Sequence, residues 1–428
     1  MDLFLIVIAF FGLLAIGTPI AIVVLTSSII GLAINNIPLS MIPQTMINGI
    51  NGYTLLAIPL YILAGEFMNE LGVAKKIFDF ALSLVGHIRG SMGHVNVIAS
   101  MVFAGISGSS TADASGLGRI ELKAMKDEGY DTDFSAAITA ASSTVGPIIP
   151  PSIHMMIYAS VAEVPAAALL IAGLVPGLLM GLGLMLTVYI LAISGKVNCP
   201  VRPRSSIIKI LTTFKDSFLA LLAPILIVGG IMWGVVTPTE AGCIAVVYTF
   251  FLGILYKKIS INNINKCLKN TIYSTGVVMF MLAVARIFVW FITIEQIPNR
   301  LMNLILSITT DRILILFLVG IFVLILGMIS TASANIVLAT PILLPMLSPL
   351  GVDPVHLGVI LVFGFVLGII TPPVGTSLYI TTEIAQIPFE RLVKAIIPFY
   401  IPLVLSFYII IYFPQISLFL PKVLGIMF

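Results

Sequence analysis

GISGSSTAD at 105–113 and GMISTASAN at 327–335 begin 222 residues apart, and that one ungapped offset recurs along the chain. It joins Gly129 to Gly351, Asp131 to Asp353, Gly146 to Gly368, and the pair Pro150 and Pro151 to Pro372 and Pro373, while Asp113 falls on Asn335. The glycine and double-proline matches lie inside STVGPIIPPS (143–152) and GIITPPVGTS (368–377). Chance alignment of apolar segments would match Leu and Ile, whereas these matches are Gly, Pro and Asp, the residues that punctuate backbone structure. A shorter echo sets Thr18-Pro19 against Thr237-Pro238, near offset 219. The chain is therefore expected to be two repeats, 1–200 and 217–428, joined by a cytoplasmic connector at 201–216.

The setting of these repeats is lipid. Only 9% of the 428 residues are charged and 59% are hydrophobic, where a soluble domain is about a quarter charged. Mean hydropathy is +1.17. Apolar stretches fall at 3–34, 46–69, 92–118, 133–162, 166–194, 217–236, 239–256, 271–293, 313–347, 355–387 and 396–420, most of them about 20 residues or longer, the length that crosses a hydrocarbon layer as a helix. The start, MDLFLIVIAFFGLLAIGTP, has no basic segment and no small-residue cleavage site, so it is expected to be the first transmembrane helix and not a removable signal. A net charge of +3 gives no nucleic-acid signal, and Cys199, Cys243 and Cys267 show neither disulfide nor metal-ligand spacing. The four histidines are equally scattered.

Orientation follows from five basic groups: Lys75, Lys76 and Arg89; Arg119, Lys123 and Lys126; Lys196, Arg202, Arg204, Lys209 and Lys215; Lys257, Lys258, Lys266 and Lys269; and Arg391 with Lys394. The positive-inside rule places all five in the cytoplasm. That is possible only if 92–126 enters and leaves on one side as a re-entrant hairpin while 133–162 crosses as a broken helix. The equivalent hairpin, 313–347, then enters from the other side, followed by a broken helix at 355–387. The expected fold is an all-α polytopic membrane protein with two inverted-topology repeats, an arrangement that many secondary transporters use for alternating access.

Within hydrocarbon, interrupted helices survive only where protein or a polar cavity satisfies the backbone. Double prolines remove amide donors and free carbonyls upstream. Freed carbonyls with Ser and Thr oxygens suit a small hard cation, so a Na+ site is expected between hairpin tip and break in each repeat. Its ligands are expected among Ser107, Ser109, Ser143 and Gly146 in the first repeat, with Ser330, Ser333, Gly368 and Thr371 in the second. Substrate is expected to meet Ser109, Ser110, Asp113, Pro150, Ser152, Thr331, Asn335 and Thr376. Against this stands the plainer reading that Gly and Ser merely let helices pack closely. Arg286 either pairs a substrate carboxylate or joins two helices, the second being favoured. Glu66, Glu163, Glu240 and Glu383 fall near helix ends or kinks, where structural roles are expected, and His154 either packs as a neutral ring or carries a proton, the first being favoured. No Walker sequence, GxSxG elbow, HExxH or paired-carboxylate constellation is present, so an ion gradient is the natural energy source and no catalytic residue is assigned.

The run FAGISGSSTADASGLGRIELKAMKDEGYDTDFSAAITAASSTVGPIIPPSIHMMIYASVAEVPAAALLIAGLVPGLLMG, with GVVTPTEAG, ATPILLPMLSPLGVDPVHLGV and GIITPPVGTSLYI, resembles the large membrane subunit of tripartite ATP-independent periplasmic (TRAP) transporters over essentially the whole chain. The resemblance implies an elevator-type permease of the ion-transporter superfamily in a bacterial inner membrane. It implies Na+ as coupling ion, no organic cofactor, a small four-helix membrane subunit, and a periplasmic substrate-binding protein that delivers an organic acid such as a C4-dicarboxylate or sialic acid. Chain length agrees with a separate large subunit, since a fused small subunit would add helices. Two positions depart from the family's pattern: Met328-Ile329-Ser330-Thr331 stands where an acidic residue is common, and Gly364 where Asn is common. A stand-alone Na+- or H+-coupled carboxylate transporter of the same superfamily is the alternative. An intramembrane enzyme would need a polar catalytic cluster that the sequence lacks, and a purely structural protein would have no use for four helix breaks.

Overall fold

The computed structural model describes residues 2–195, 197–200 and 202–427, and every regular element among them is helical. Helices α1 (Asp2–Ala15), α2 (Ile20–Ile34), α3 (Met41–Ile50), α4 (Ala57–Glu70) and α5 (Val73–Val85) lead to a helical pair, α6 (Ser91–Ser107) and α7 (Ser110–Asp127). A broken helix follows, α8 (Thr132–Ser143) and α9 (Ile153–Ala162), then α10 (Ala166–Ala172) and α11 (Leu174–Ile193). The second half runs α12 (Ile207–Met232), α13 (Pro238–Leu255), α14 (Ile261–Ile294) and α15 (Ile297–Ile308) before a second pair, α16 (Arg312–Ile329) and α17 (Ala332–Leu347). A second broken helix, α18 (Pro354–Gly368) and α19 (Thr376–Ala385), precedes α20 (Phe389–Tyr412) and α21 (Gln415–Val423).

Seven helical stretches among the described residues are long and apolar enough to cross a membrane, and an eighth if the pair Met41–Ile50 and Tyr53–Glu70, bent by 62°, is one span. Apolar side chains occur on both the inside and the outside. Helix α18 is buried from Val355 to Gly368, yet Leu182 and Leu186 on α11, Leu211 and Ile225 on α12, and Ile401 and Leu405 on α20 are exposed. Water would not tolerate so continuous an apolar exterior, whereas lipid does. The chain is a multi-pass membrane protein.

The apolar stretch at 3–34 forms two helices, α1 and α2. Gly17 takes a left-handed φ of 79° and Pro19 caps α2, so the chain turns. At 14 and 15 residues, α1 and α2 are each about 21–23 Å long. They pack on each other.

Contacts bring the basic groups to one end of the molecule. Lys76 lies 3.4 Å from the centre of the Tyr256 ring, next to Lys257. Thr213 on α12 bonds Ser83 on α5 at 2.9 Å. Arg202 pairs with Glu128 through two bonds and holds its carboxyl below the usual carboxylate range, and Arg391 pairs with Asp133 at 2.9 Å. Lys196 lies outside the described residues. At the other end, Tyr158 donates to the Pro354 carbonyl at 2.7 Å and Arg312 to the Gly351 carbonyl at 3.4 Å. The segment 132–162 therefore starts at the basic end and finishes beside the start of 354–385, which runs back the other way. Both outer ends of the α6–α7 pair lie at the basic end, and both outer ends of α16–α17 lie opposite. The second arm of each pair packs across the molecule, α7 on α19 and α17 on α9.

Candidate functional site

The first turn, Gly108–Ser109, is set against the first break. Gly108 closes α6 with a left-handed φ of 57°, and a methyl group there would overlap the Pro151 carbonyl oxygen. Only glycine combines that conformation with so close a backbone approach. Ser109 is extended and opens α7. The Ser110 hydroxyl, buried, then lies 3.0 Å from the Ser143 hydroxyl on α8 and 2.9 Å from the Ser377 hydroxyl on α19. One side chain thus joins the turn to the helix before the first break and to the helix after the second.

Residues 134–159, the break included, are buried without interruption. A methyl group on Gly146 would lie 3.4 Å from the Ser143 carbonyl oxygen and 3.6 Å from that of Ser109. Of the expected cation ligands in the first half, Ser109, Ser143 and Gly146 are therefore brought together. Ser107 is buried with its hydroxyl unpartnered and its backbone close to Gly65 of α4. Ser152 is committed to local structure: it caps α9 by accepting from the Met155 amide at 3.2 Å and donates to the Pro147 carbonyl. Pro150 is buried beside it. Both double prolines carry a cis bond, Pro150–Pro151 and Pro372–Pro373.

The second half is built differently. Gly327 and Gly368 bring α16 and α18 into backbone contact. Thr371 donates to the Leu367 carbonyl at 2.8 Å, Tyr400 to the Ile370 carbonyl at 2.6 Å, and the Ser377 amide to the Ile369 carbonyl at 3.1 Å. Most carbonyls released by the break already have donors. Asn335 donates to the carbonyls of Leu326 at 2.9 Å and Ser330 at 3.2 Å, tying the end of α16 to α17. Asp113, at the matching position, is buried with both carboxylate oxygens unpartnered, and a carboxylate could not donate as Asn335 does. Thr331, Pro373 and Val374 are exposed, while Ser333 and Thr376 are half-buried. The second break opens outward where the first is closed over. Replacing Asn335 with Asp would strip two part-buried carbonyls of their donor and set an acceptor against them. Asn335→Asp is expected to cost about 1–3 kcal/mol, read as a fall in melting temperature of the purified protein, with Asp113→Asn tolerated in the same assay.

Gly364, where the resembling family commonly has Asn, has no room for an amide: a methyl group there would come within 2.5 Å of Val323 Cγ1 and 2.8 Å of the Phe407 ring. Arg286 pairs with Glu163 at 2.9 Å. Glu66 accepts from Asn270 at 2.9 Å, Glu240 forms a capping box with Thr237, Glu383 is exposed, and His154 is buried.

One feature of the first half escaped the sequence reading. Asn96 donates to Thr139 at 2.7 Å, Ser142 to Asn96 at 2.6 Å, and Ser100 to Ser142 at 3.2 Å, all buried between α6 and α8. Glu121, two turns beyond Asp113, is buried too. The signal was available, because Asn96 and Ser100 are four apart and Thr139 and Ser142 three apart, spacings that share a helix face.

Comparison with known proteins places the chain among transporter components. Residues 7–416 match the model of the tripartite ATP-independent periplasmic transporter, DctM component. The chain is 38% identical over 413 residues to the sialic acid TRAP transporter large permease protein SiaM of Vibrio cholerae, covering 96% of each. It is 38% identical over 374 residues to the C4-dicarboxylate TRAP transporter large permease protein DctM of Pseudomonas aeruginosa, covering 87% of each. In fold it is similar to the Alcanivorax borkumensis YdaH transporter, with a TM-score of 0.64 at 15% identity and 86% of each chain covered.

Proposed function

The chain belongs to the DctM component family of tripartite ATP-independent periplasmic transporters, and from that membership we propose that it is the large permease subunit of a Na+-coupled importer of an organic acid. Relatives named for sialic acid and for C4-dicarboxylates favour a carboxylate as cargo. A small membrane subunit and a periplasmic binding protein complete the assembly in a bacterial inner membrane, and the chain itself performs no covalent chemistry.

In this reading, 1–200 and 217–428 are inverted repeats joined by the connector at 201–216. The pairs α6–α7 and α16–α17 are re-entrant hairpins that move with the two broken helices as one body, in the manner of an elevator. The opposite directions of 132–162 and 354–385 support it, as does the reciprocal packing of α7 on α19 and α17 on α9. The observation that carries most weight is the Ser110 bridge from hairpin turn to both broken helices, because it makes the oxygen-rich turn a shared element of both halves. The stronger cation site is the first, around Ser107, Ser109, Ser143 and Gly146, with the buried Asp113 nearby on α7. A second site at Ser330, Ser333, Gly368 and Thr371 is weaker, since the Asn335 side chain and the Thr371 amide already serve the Ser330 and Gly368 carbonyls. Substrate meets Ser109, Thr331 and Thr376 on the accessible side.

Reconstituted in liposomes with its membrane partner and binding protein, the chain is expected to accumulate the acid only under an inward Na+ gradient. Equal uptake with Na+ absent would defeat the coupling, and uptake by this chain alone would favour the stand-alone alternative.

A further inference from the structure

We propose that the Glu163–Arg286 ion pair is an electrostatic latch that holds the present arrangement of the hairpin-bearing body against α14 and is broken when that body moves. The inference rests on the moving-body reading above, because it needs α9 and α14 to belong to different bodies. Helix α14 packs mainly on α2, α3 and α4, with a smaller contact to α17, whereas Glu163 ends α9, downstream of the first break.

Three local features each serve to place this pair. Glu163 caps α9 with a left-handed φ of 55°, a conformation that L side chains adopt reluctantly and that Gly or Asn would fill more easily. Arg286 lies on α14 between the buried residues Ala285 and Ile287, its own side chain partly exposed. Gly49 of α3 clears the space for its stem, since a methyl group there would lie 2.5 Å from Arg286 Cγ. The guanidinium Nη1 reaches Glu163 Oε1 at 2.9 Å.

The surface beneath the pair is incompletely packed. A cavity of about 10 Å³, lined by Gly49, Ser160, Val161, Leu282, Ala285 and Val289 as well as Arg286, separates α9 from α14, room for about one water. Apolar contact is thus weak where the two elements meet, and the ion pair is the specific link. The side chains are 38% and 70% exposed, so the link is screened by solvent and easily opened. That suits a latch and not a permanent strut.

Accessibility of the cavity tests this without any transport measurement. With Cys199, Cys243 and Cys267 replaced by Ser and Ser160→Cys introduced, the full chain in nanodiscs is labelled with a charged maleimide. Arg286→Ala and Glu163→Gln are each expected to raise the labelling rate about two- to five-fold, the range of an exposed pair. The double variant is expected to be no faster than either single, as a shared interaction requires. The exchange Glu163→Arg with Arg286→Glu should return the rate toward that of the native pair, and Arg286→Lys should keep most of the protection. Raising KCl to about 1 M should speed labelling with the native pair and leave the double variant, which has neither charge, unchanged. Cysteine at Ser307, on the exposed α15, serves as the control. Unchanged rates at Ser160, additive effects, or equal acceleration at Ser160 and Ser307 would overturn the latch. Na+-independent transport would defeat the coupling and leave this result intact.

Discussion

Gly368→Ala is expected to abolish the folded protein while Gly327→Ala is tolerated, although the two glycines face each other. The methyl group of Ala at 368 would overlap the carbonyl carbon, oxygen and α-carbon of Gly327. Those are backbone atoms, so no rotamer change relieves the clash, and α16 must move off α18. At 327 the methyl group would lie 3.1 Å from the Gly368 α-carbon and 3.2 Å from that of Phe365, tight but open to a shift of a few tenths of an ångström. Overpacking costs typically about 1–3 kcal/mol and sometimes more; position 368 belongs above that range and 327 at its lower end. Membrane yield and melting temperature of the two variants read the difference directly. Comparable loss in both, or the reverse order, would show that α16 and α18 do not approach as described.

That contact explains how the sequence could announce the fold and still conceal the site. Gly and Pro at one offset marked both breaks and both turns, since those residues act through backbone conformation, which is local. The turns fall at Gly108–Ser109 and Ser330–Thr331, within the stretches expected from sequence. Hydropathy joins 3–34 into one apolar stretch because it counts apolar residues and does not register one left-handed glycine, Gly17, before Thr18-Pro19. Side-chain commitments were not legible either. Ser152 and Ser109 look alike as hydroxyls, yet Ser152 is spent on Pro147 and Met155 while Ser109 pairs with Thr111 at 3.0 Å. Such partners are fixed by the tertiary approach of other segments, which spacing does not encode. The inequality of the two repeats was visible at Asn335, but its cause, an amide donating to two carbonyls of the neighbouring turn, required coordinates.

Ser110→Ala is expected to lower Na+-driven uptake about ten- to hundred-fold while the protein remains folded. The hydroxyl is buried and has two partners, Ser143 at 3.0 Å and Ser377 at 2.9 Å. After its removal Ser143 still donates to the Ala140 carbonyl at 2.8 Å, whereas Ser377 loses its cross-repeat contact. The stability loss should therefore be near the roughly 1–2 kcal/mol of one buried hydrogen bond, small beside the functional loss. The reason for the disparity is positional: the turn at Gly108–Ser109 is held against both breaks through this side chain, and a misplacement of about 1 Å can cost a hundred-fold in function. Ser377→Ala should reproduce much of the defect, and the double variant should be little worse than Ser110→Ala, because both remove the same link. Uptake in proteoliposomes, with melting temperature measured on the same preparations, separates the outcomes. If Ser110→Ala transports normally, the turn is positioned by Gly108 and backbone packing alone, and the bridge between halves has no part in coupling.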